Sequence, residues 1–486
     1  MSDPQAPDLN LSMRVDPDPR SQEGSPDISA WRTVYLIGIG GAGMRAIATL
    51  LLARGIQVAG SDLKDSSGLQ ALAVAGATVF VGHRADQVTH AEAVVVSSAV
   101  PSTNVEVERA RELGLAVLSR AQVLAALMRG HCSIAVAGTH GKTTTTSMVA
   151  VMLERLGLDP TYVIGGDLNE SGSGARHGSG DAFVAEADES DGSFLLYRPT
   201  VGVITNVDED HLDYYRDRAD VEGAFRAFGE RAGTVVACWD DAGARAALAG
   251  ADLRLVRYGS SGNGAEELDV VVLEPDLASD GARATMRVRG TDVPISLSVR
   301  GRHNLLNAAA ALAVASVLGL PIRDAADALG SFTGVRRRFE ARGEAGGATF
   351  VDDYAHHPAE VAATMEVARA AGHRRVIAVF QPHRYSRTRA LGRALGESLA
   401  SADIAVVTDV YGAGERPMPG ITGKLLVDAL AERAPGTRIV YLPRRSEVAR
   451  FLAKEVRAGD LVLTLGAGDI TMVGDETLAR IREGGA

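Results

Sequence analysis

The chain is expected to fold as three successive α/β units, each built on a parallel, doubly wound sheet, and three observations predict it. Apolar strand-like runs alternate with helical stretches along most of the sequence, which is the mark of a parallel sheet with crossover helices. The alternation restarts twice, near Ser133 and near Arg336. At 486 residues the chain is also too long for one ordinary core, and roughly two to four domains are the natural expectation.

In the first unit Trp31–Gly38 reads as a buried strand that ends in glycines and feeds a helix over Met44–Arg54. Further strands are expected at Ile56–Gly60, Thr78–Val81 and Ala93–Ser97. The second unit opens with a strand at Ser133–Ala137, a turn at 138–146 and a helix over Thr145–Leu156, and later strands end at Glu186 and Asn206. From about 253 to 300 the texture changes to short β-like runs, Leu253–Tyr258, Asp269–Leu273 and Pro294–Val299, separated by turns. These are expected to form a small antiparallel subdomain. The third unit carries strands at Thr349–Val351, Val376–Gln381, Ile404–Thr408, Ile439–Leu442 and Leu461–Leu465. The boundaries that follow are 1–30 for a disordered extension, then 31–130, 131–334 and 335–486.

Composition narrows the function classes. Apolar residues make up 46% and charged residues 23%, as in a globular protein. The net charge of −11 argues against a nucleic-acid or membrane-surface partner. It leaves small anions open, since backbone N–H groups bind those locally. Cys132 and Cys238 each fall in an apolar run and are expected as buried, reduced thiols. No apolar stretch is long enough to span a membrane, and the acidic, proline-bearing start lacks the pattern of a secretion signal. The expected compartment is the cytoplasm, and a monomer or a homodimer is expected.

The strongest chemical signal is GTHGKT at 138–143. A strand delivers the chain into a glycine turn whose N–H groups, with the following helix N-terminus, cradle phosphate. Lys142 would reach the β- and γ-phosphates, and the Thr143 hydroxyl would hold Mg²⁺. The usual loop has its first glycine five residues before the second, where this chain has Val136. The shorter form speaks against a generic GTPase or kinase. Only four lysines occur, Lys64, Lys142, Lys424 and Lys454, against a large excess of arginine. A lysine kept between Gly141 and Thr143 implies that a compact ammonium is needed there.

EADESD at 186–191 places acids at the end of a strand beside that loop, where metal binding is favoured over a solvated acidic turn. TNVDEDHLDYY at 205–215 adds His211. A carboxylate and an imidazole converging on phosphates make a second Mg²⁺ site. GIGGAG at 38–43, with Asp62 closing the next strand, matches a dinucleotide fingerprint. Its physics requires only a pyrophosphate at a helix N-terminus, which an NAD or a UDP-sugar equally supplies. Asn304 and Asn307 lie three apart at the start of a helix, where amides read a purine edge. GVRRRFE, VDDYAHHP, FQPHRYSR and YGAGE gather Arg, Asp, His and Tyr at strand ends of the third unit, as a pocket for a charged substrate requires.

From about Tyr35 to Ile470 these motifs, in this order, resemble the Mur ligase family. The resemblance implies a Rossmann-like first domain that binds UDP and a P-loop-type central ATPase domain. A Rossmann-like C-terminal domain would bind the incoming amino acid. It implies ATP and Mg²⁺, with two ions expected, and UDP-N-acetylmuramate and L-alanine as the other reactants. A carboxylate would be phosphorylated by ATP and then attacked by a free amine to give an amide, ADP and phosphate.

Carried over by position, Gly138, Thr139, His140, Gly141, Lys142, Thr143 and Thr144 would form the phosphate loop, with Thr143, Glu186 and His211 on metal. Asn304 and Asn307 would lie by the adenine. Arg338 and Asp353 would close over the nucleotide. Gly38, Gly40, Gly41, Gly43, Asp62, His83, Ser97 and Ser98 are similar to the family's UDP-binding turns. Tyr354, His356, His357, His383, Arg384 and Arg387 would form the amino-acid pocket, with His356 or His357 helping to free the amine. Relatives that add later amino acids use a carbamylated lysine downstream of the His211 motif; no lysine lies between Lys142 and Lys424 here. Arg45 and the Ser173-Gly174 pair depart from the family pattern. The rival expectations are a ligase recycling a preformed tripeptide, an NAD-dependent dehydrogenase, and a nucleotide-binding module without catalysis.

Overall fold

Three sheets organise the computed structural model, which describes residues 26–88, 90–210, 214–262, 267–278 and 280–484. The first contains β1 (Thr33–Ile37), β2 (Gln57–Asp62), β3 (Thr78–Val81), β4 (Ala93–Val96) and β5 (Ala116–Ser119), in the order 3-2-1-4-5. All its pairings are parallel. Helix α1 (Ala42–Ala53) follows β1 directly and buries Met44, Ile47, Leu50 and Leu51.

The second sheet has ten strands. They are β6 (Cys132–Ala137), β7 (Thr161–Val163), β8 (Ala175–Arg176), β9 (Ala182–Glu186), β10 (Val201–Ile204), β11 (Thr234–Cys238), β12 (Leu255–Ser260), β13 (Val270–Ala278), β14 (Gly281–Val288) and β15 (Thr291–Leu297). Their order is 15-14-13-12-11-10-6-9-7-8. Central β6 is buried at every position, as a parallel strand covered on both faces must be. Its flanking strands β9 and β10 run parallel to it, with Val136 beside Glu186 and Ala137 beside Ile204. The chain leaving β6 therefore opens between the carboxyl ends of both. Helix α2 (Lys142–Arg155) starts three residues earlier than expected, directly from the left-handed Gly141 at φ 78°.

One expectation needs correcting. The runs at 253–258 and 269–273 do not belong to an antiparallel subdomain, because β12 pairs in parallel with β11, and β13 in parallel with β12. They extend the central sheet. The antiparallel expectation holds further on, where β14 and β15 are neighbours joined by Arg289-Gly290 with φ 46° and 83°. A two-residue turn with both angles positive joins antiparallel strands.

The third sheet contains β16 (Glu340–Ala345), β17 (Ala348–Asp353), β18 (Arg375–Phe380), β19 (Ile404–Val407), β20 (Arg438–Tyr441) and β21 (Asp460–Leu465), in the order 16-17-21-18-19-20. Only the edge strand β16 is antiparallel to its neighbour. Apolar cores cover both of its faces, one around Phe380 and Leu463, the other around Phe350 and Val406.

By contact density the three sheets group into two compact units. Among the described residues, one holds those of 26–275, 284–296 and 305–332; the other holds those of 276–283, 297–304 and 333–484. The first two sheets share one apolar core, which includes Ile28 at 7% exposure. Folded chain thus begins before Trp31; residues 1–25 of the expected extension lie outside the described residues. Both cysteines are free and buried. No described helix is long and apolar enough to cross a membrane.

Beneath β10 the rings of Phe194 and Phe228 stack at 5.3 Å, and Phe225 meets Phe194 edge-on at 5.4 Å. All three are fully buried. Phe228→Ala should lower the unfolding free energy of this unit by about 3–5 kcal/mol through the cavity it leaves. Denaturant titration checks this, and a midpoint equal to wild type would contradict it.

Candidate active site

The turn after β6 is shaped by its two glycines and by the end of β10. Gly138 has φ 138°, and a Cβ there would overlap the Thr205 hydroxyl. Thr205 Oγ1 and Asn206 Nδ2 both donate to the His140 carbonyl, at 2.6 and 2.9 Å, while the His140 N–H donates to Asn206 Oδ1 at 2.7 Å. The Asp208 N–H donates to Thr139 Oγ1 at 2.9 Å. These bonds satisfy the loop's own polar groups from one side, so the α2 N-terminus stays open at the other. His140 also lies 3.8 Å from Asp208.

Lys142 stands at the start of α2, and its ammonium donates to Gly138 O at 2.6 Å, Thr139 O at 3.2 Å and Glu189 Oε1 at 2.9 Å. Burial works against its charge. The carboxylates of Glu189, Asp188 and Glu186 outweigh that and hold its pKa above the ordinary lysine value. Burial likewise opposes charge on Asp188, and Lys142 with the hydrogen bonds from Ser190 keeps its carboxyl below the usual range. Both therefore stay charged at neutral pH.

Thr143 Oγ1 donates to Glu186 Oε1 at 3.2 Å, and Glu186 Oε2 accepts the Gly165 N–H at 2.7 Å. A hydroxyl and a carboxylate side by side are hard oxygen donors of the kind Mg²⁺ takes, so this donor pair fits the ion. His211, the third expected ligand, lies outside the described residues. The departure at Gly174 has a structural reason: a Cβ there would press on the carbonyls of Gly166 and Ile164 at 2.8 and 3.0 Å. That same segment carries the Gly165 N–H bound to Glu186.

Asn307, on helix α3 (Arg302–Leu318), accepts from Thr145 Oγ1 at 3.1 Å, and a Cβ at Gly141 would come within 3.0 Å of its Oδ1. The Asn304 amide instead donates to Arg300 O at 2.7 Å. The two amides, expected as a pair at one purine edge, thus have separate partners: Asn307 braces α2, and Asn304 secures the start of its own helix.

At the first glycine turn, the Gly40 N–H donates to Asp62 Oδ2 at 2.9 Å. Asp62 thus holds the turn itself, whatever it offers a ribose. Gly41 caps α1 without a side-chain partner, and a Cβ at Gly43 would meet Arg120 at 2.9 Å. Ser97, Ser98 and Arg120 line a cavity of about 390 Å³ with Asp191 and Ser193. His83 is anchored through one ring nitrogen. Its Nδ1 lies 2.8 Å from both Ser61 Oγ and the fully buried Glu106 Oε2. Tyr35 OH donates to Glu106 Oε1 at 2.8 Å. His83 thus belongs to a buried polar network behind the sheet end. The departure at Arg45 is accommodated by Gly68, where any Cβ would collide with the guanidinium.

In the second unit Arg337 and Phe339 have φ of 61° and 48°, a strained region for bulky residues. The turn is held by Asp353, whose Oδ2 accepts the Phe339 N–H at 2.8 Å and whose Oδ1 accepts the Ala355 N–H at 2.7 Å. Arg337 and Arg338 lie over the Tyr354 ring at 4.9 and 5.5 Å. Arg338 also faces Glu360 at 3.9 Å. Helix α4 (Pro358–Ala370) begins after His357, which is buried at 5% exposure.

His356 lies between Tyr354 and His383, and His383 stacks on Tyr411 at 5.6 Å. Burial, with the charges of Arg387 and Arg384 and the nearby His356, pushes His383 down to about 3, so it is a neutral imidazole. Arg384 caps helix α5 (Tyr385–Ser398) at φ 70°, and Glu415 accepts from Ser386. Two guanidiniums, a neutral imidazole and aromatic faces thus gather at one sheet end.

Sequence reasoning missed Glu189, Glu106, Arg120, Thr205 and Asn206 as parts of these sites. Glu189 lay inside the quoted acidic run, but nothing in a one-dimensional pattern says which acid of six residues turns inward.

The fold and the phosphate loop define an ATP-using ligase architecture, and comparison with known proteins places it. Models of the Mur ligase family match along the chain: its catalytic domain over 33–131, its middle domain over 136–315 and its glutamate ligase domain over 337–468. The chain belongs to the Mur ligase family. A UDP-N-acetylmuramate–L-alanine ligase of Pelotomaculum thermopropionicum is 45% identical over 456 residues, covering 93% of this chain and 98% of that one. The crystal structure of a UDP-N-acetylmuramate–alanine ligase from Thermotoga maritima superposes with TM-score 0.78 at 28% identity, covering 93% and 99%. A UDP-N-acetylmuramate:L-alanyl-γ-D-glutamyl-meso-diaminopimelate ligase from Neisseria meningitides reaches 0.57 at 29%, over 63% of this chain and all of that one.

Burial raises the Asp353 carboxyl to about 6, against the opposing pull of Arg338 and two backbone N–H groups. Between the unfolded value near 3.8 and about 6, the folded state holds more protons than the unfolded one, so stability falls as pH rises through that window. The drop should reach about 3 kcal/mol at most. Denaturation of wild type and Asp353→Asn between pH 4 and pH 7 checks it: the slope should shrink in the variant, and an unchanged slope would contradict the assignment.

Proposed function

We infer that this chain joins L-alanine to the lactyl carboxylate of UDP-N-acetylmuramate at the expense of ATP, releasing ADP and phosphate in peptidoglycan precursor synthesis. The observation that carries it is the ammonium-bearing glycine turn at the carboxyl end of β6, with the Thr143–Glu186 oxygen pair beside it. Near full-length similarity to alanine-adding ligases supports the choice of substrates.

A carboxylate is a poor electrophile at neutral pH. Transfer of the γ-phosphoryl group to it gives an acyl phosphate, and the free amine of alanine displaces phosphate to form the amide. Lys142 offsets the repulsion between carboxylate and phosphate oxygens. Thr143, Glu186 and His211 would hold Mg²⁺, with two ions expected, and the metal would supply positive charge against the phosphate oxygens. Arg384 and Arg387 suit the carboxylate of the amino acid, and neutral His383 adds no positive charge beside its ammonium. The turn at Gly38–Gly43 and the cavity edged by Ser97, Ser98 and Arg120 suit the sugar nucleotide. Such reactants are cytoplasmic, which supports a cytoplasmic compartment.

The second reading is the tripeptide-adding class, since over the 63% of this chain that it covers the Neisseria meningitides ligase is 29% identical, against 28% over 93% for the alanine-adding structure. Phosphate release with UDP-N-acetylmuramate should appear with L-alanine and not with a tripeptide; the reverse would move the assignment to the recycling class. Lys142→Ala should lower turnover by at least about 10³-fold with the fold intact. Retained turnover would remove Lys142 from the chemistry.

A further inference from the structure

The Lys142 ammonium has three N–H donors, and three acceptors surround it within its own neighbourhood: two loop carbonyls and Glu189. Phosphate oxygens arriving at the loop need at least one of those donors. We propose that Glu189 is a positioning residue that parks Lys142 and surrenders it to the nucleotide, so that binding exchanges one anionic partner for another. This rests on the reading of Lys142 as a phosphate ligand.

Three features point to Glu189 in this role. Its carboxylate is 2% exposed and 2.9 Å from Nζ, so it is a buried counter-ion and not a surface pair. Removing such a partner leaves an uncompensated buried charge, which makes Glu189 necessary while the cradle is empty. Its backbone is pinned, because the Tyr215 hydroxyl and the Gly192 N–H both donate to Glu189 O, at 2.7 and 3.0 Å. Lys142 on its flexible stem is therefore the partner that moves. Finally, Glu189 is distinct from the acid at the oxygen-donor pair: Glu186 is engaged by Thr143 and Gly165. The acidic run thus divides its work, one carboxylate for the ion and one for the ammonium.

A competing partner lowers apparent affinity by the fraction of time Lys142 is parked. Glu189→Gln keeps the shape and a carbonyl acceptor but removes the charge. In titration calorimetry of the full chain with Mg²⁺ and a non-hydrolysable ATP analogue, it should bind roughly three- to tenfold more tightly than wild type. Loss of a negative charge by itself would also attract an anion, so the same substitution is repeated in Lys142→Ala. Parking predicts that the gain shrinks there to what the lost charge alone supplies, as coupling through one shared partner requires.

Weaker or unchanged binding in Glu189→Gln, or a gain of undiminished size without Lys142, would overturn the proposal. If the Gln variant does not fold, Glu189→Asp draws the carboxylate back by one methylene and is read in the same way. Wild type that binds no analogue would overturn this proposal together with the reading of the loop itself. Wild type that binds, with no gain in the variant, would overturn the parking alone.

Discussion

The phosphate loop and its neighbours are arranged around one buried cation. An ammonium placed beyond the tip of a fully buried strand is costly unless anions face it, and here the loop after β9 supplies them. The register of β6 between β9 and β10 is what makes this possible: one neighbour ends in the acids and the other ends in Thr205 and Asn206. The loop between them has its carbonyls tied by β10 and its charge balanced by the β9 loop. What remains outward is the N-terminus of α2, where phosphate belongs.

The glycine turn of the first sheet solves a similar problem with different parts. There the carboxylate of Asp62 fixes the turn from behind, and a buried acid, Glu106, organises Ser61, His83 and Tyr35 beneath it. The second unit adds backbone strain to burial. A segment forced into positive φ at Arg337 and Phe339 is stapled by Asp353, which projects two guanidiniums around Tyr354. Strain of this kind persists only where surrounding bonds over-determine it.

Much of this was legible in the sequence, and the reasons are local. Parallel strands with buried faces leave continuous apolar runs, and a glycine–lysine–threonine turn after one of them has few other uses. The β12–β13 region was misread because short runs between Gly-rich turns look alike whether they pair parallel or antiparallel. Direction depends on partners distant in sequence. Asn307 illustrates the other limit. Its spacing from Asn304 is helical and places both amides on one face, yet spacing carries no information about whether Thr145 or a ligand will occupy the amide. Glu189 and Glu106 were invisible as inward-turning acids for the same reason: acids on paper are surface residues until packing buries them.

The central claim is that the loop after β6 is the seat of the nucleotide's phosphates. A crystal structure of the chain with Mg²⁺ and a non-hydrolysable ATP analogue tests it most directly. The γ-phosphate should lie within hydrogen-bonding reach of Lys142, with the ion held between Thr143 and Glu186. Nucleotide density bound elsewhere, with Lys142 still paired to Glu189, would contradict it.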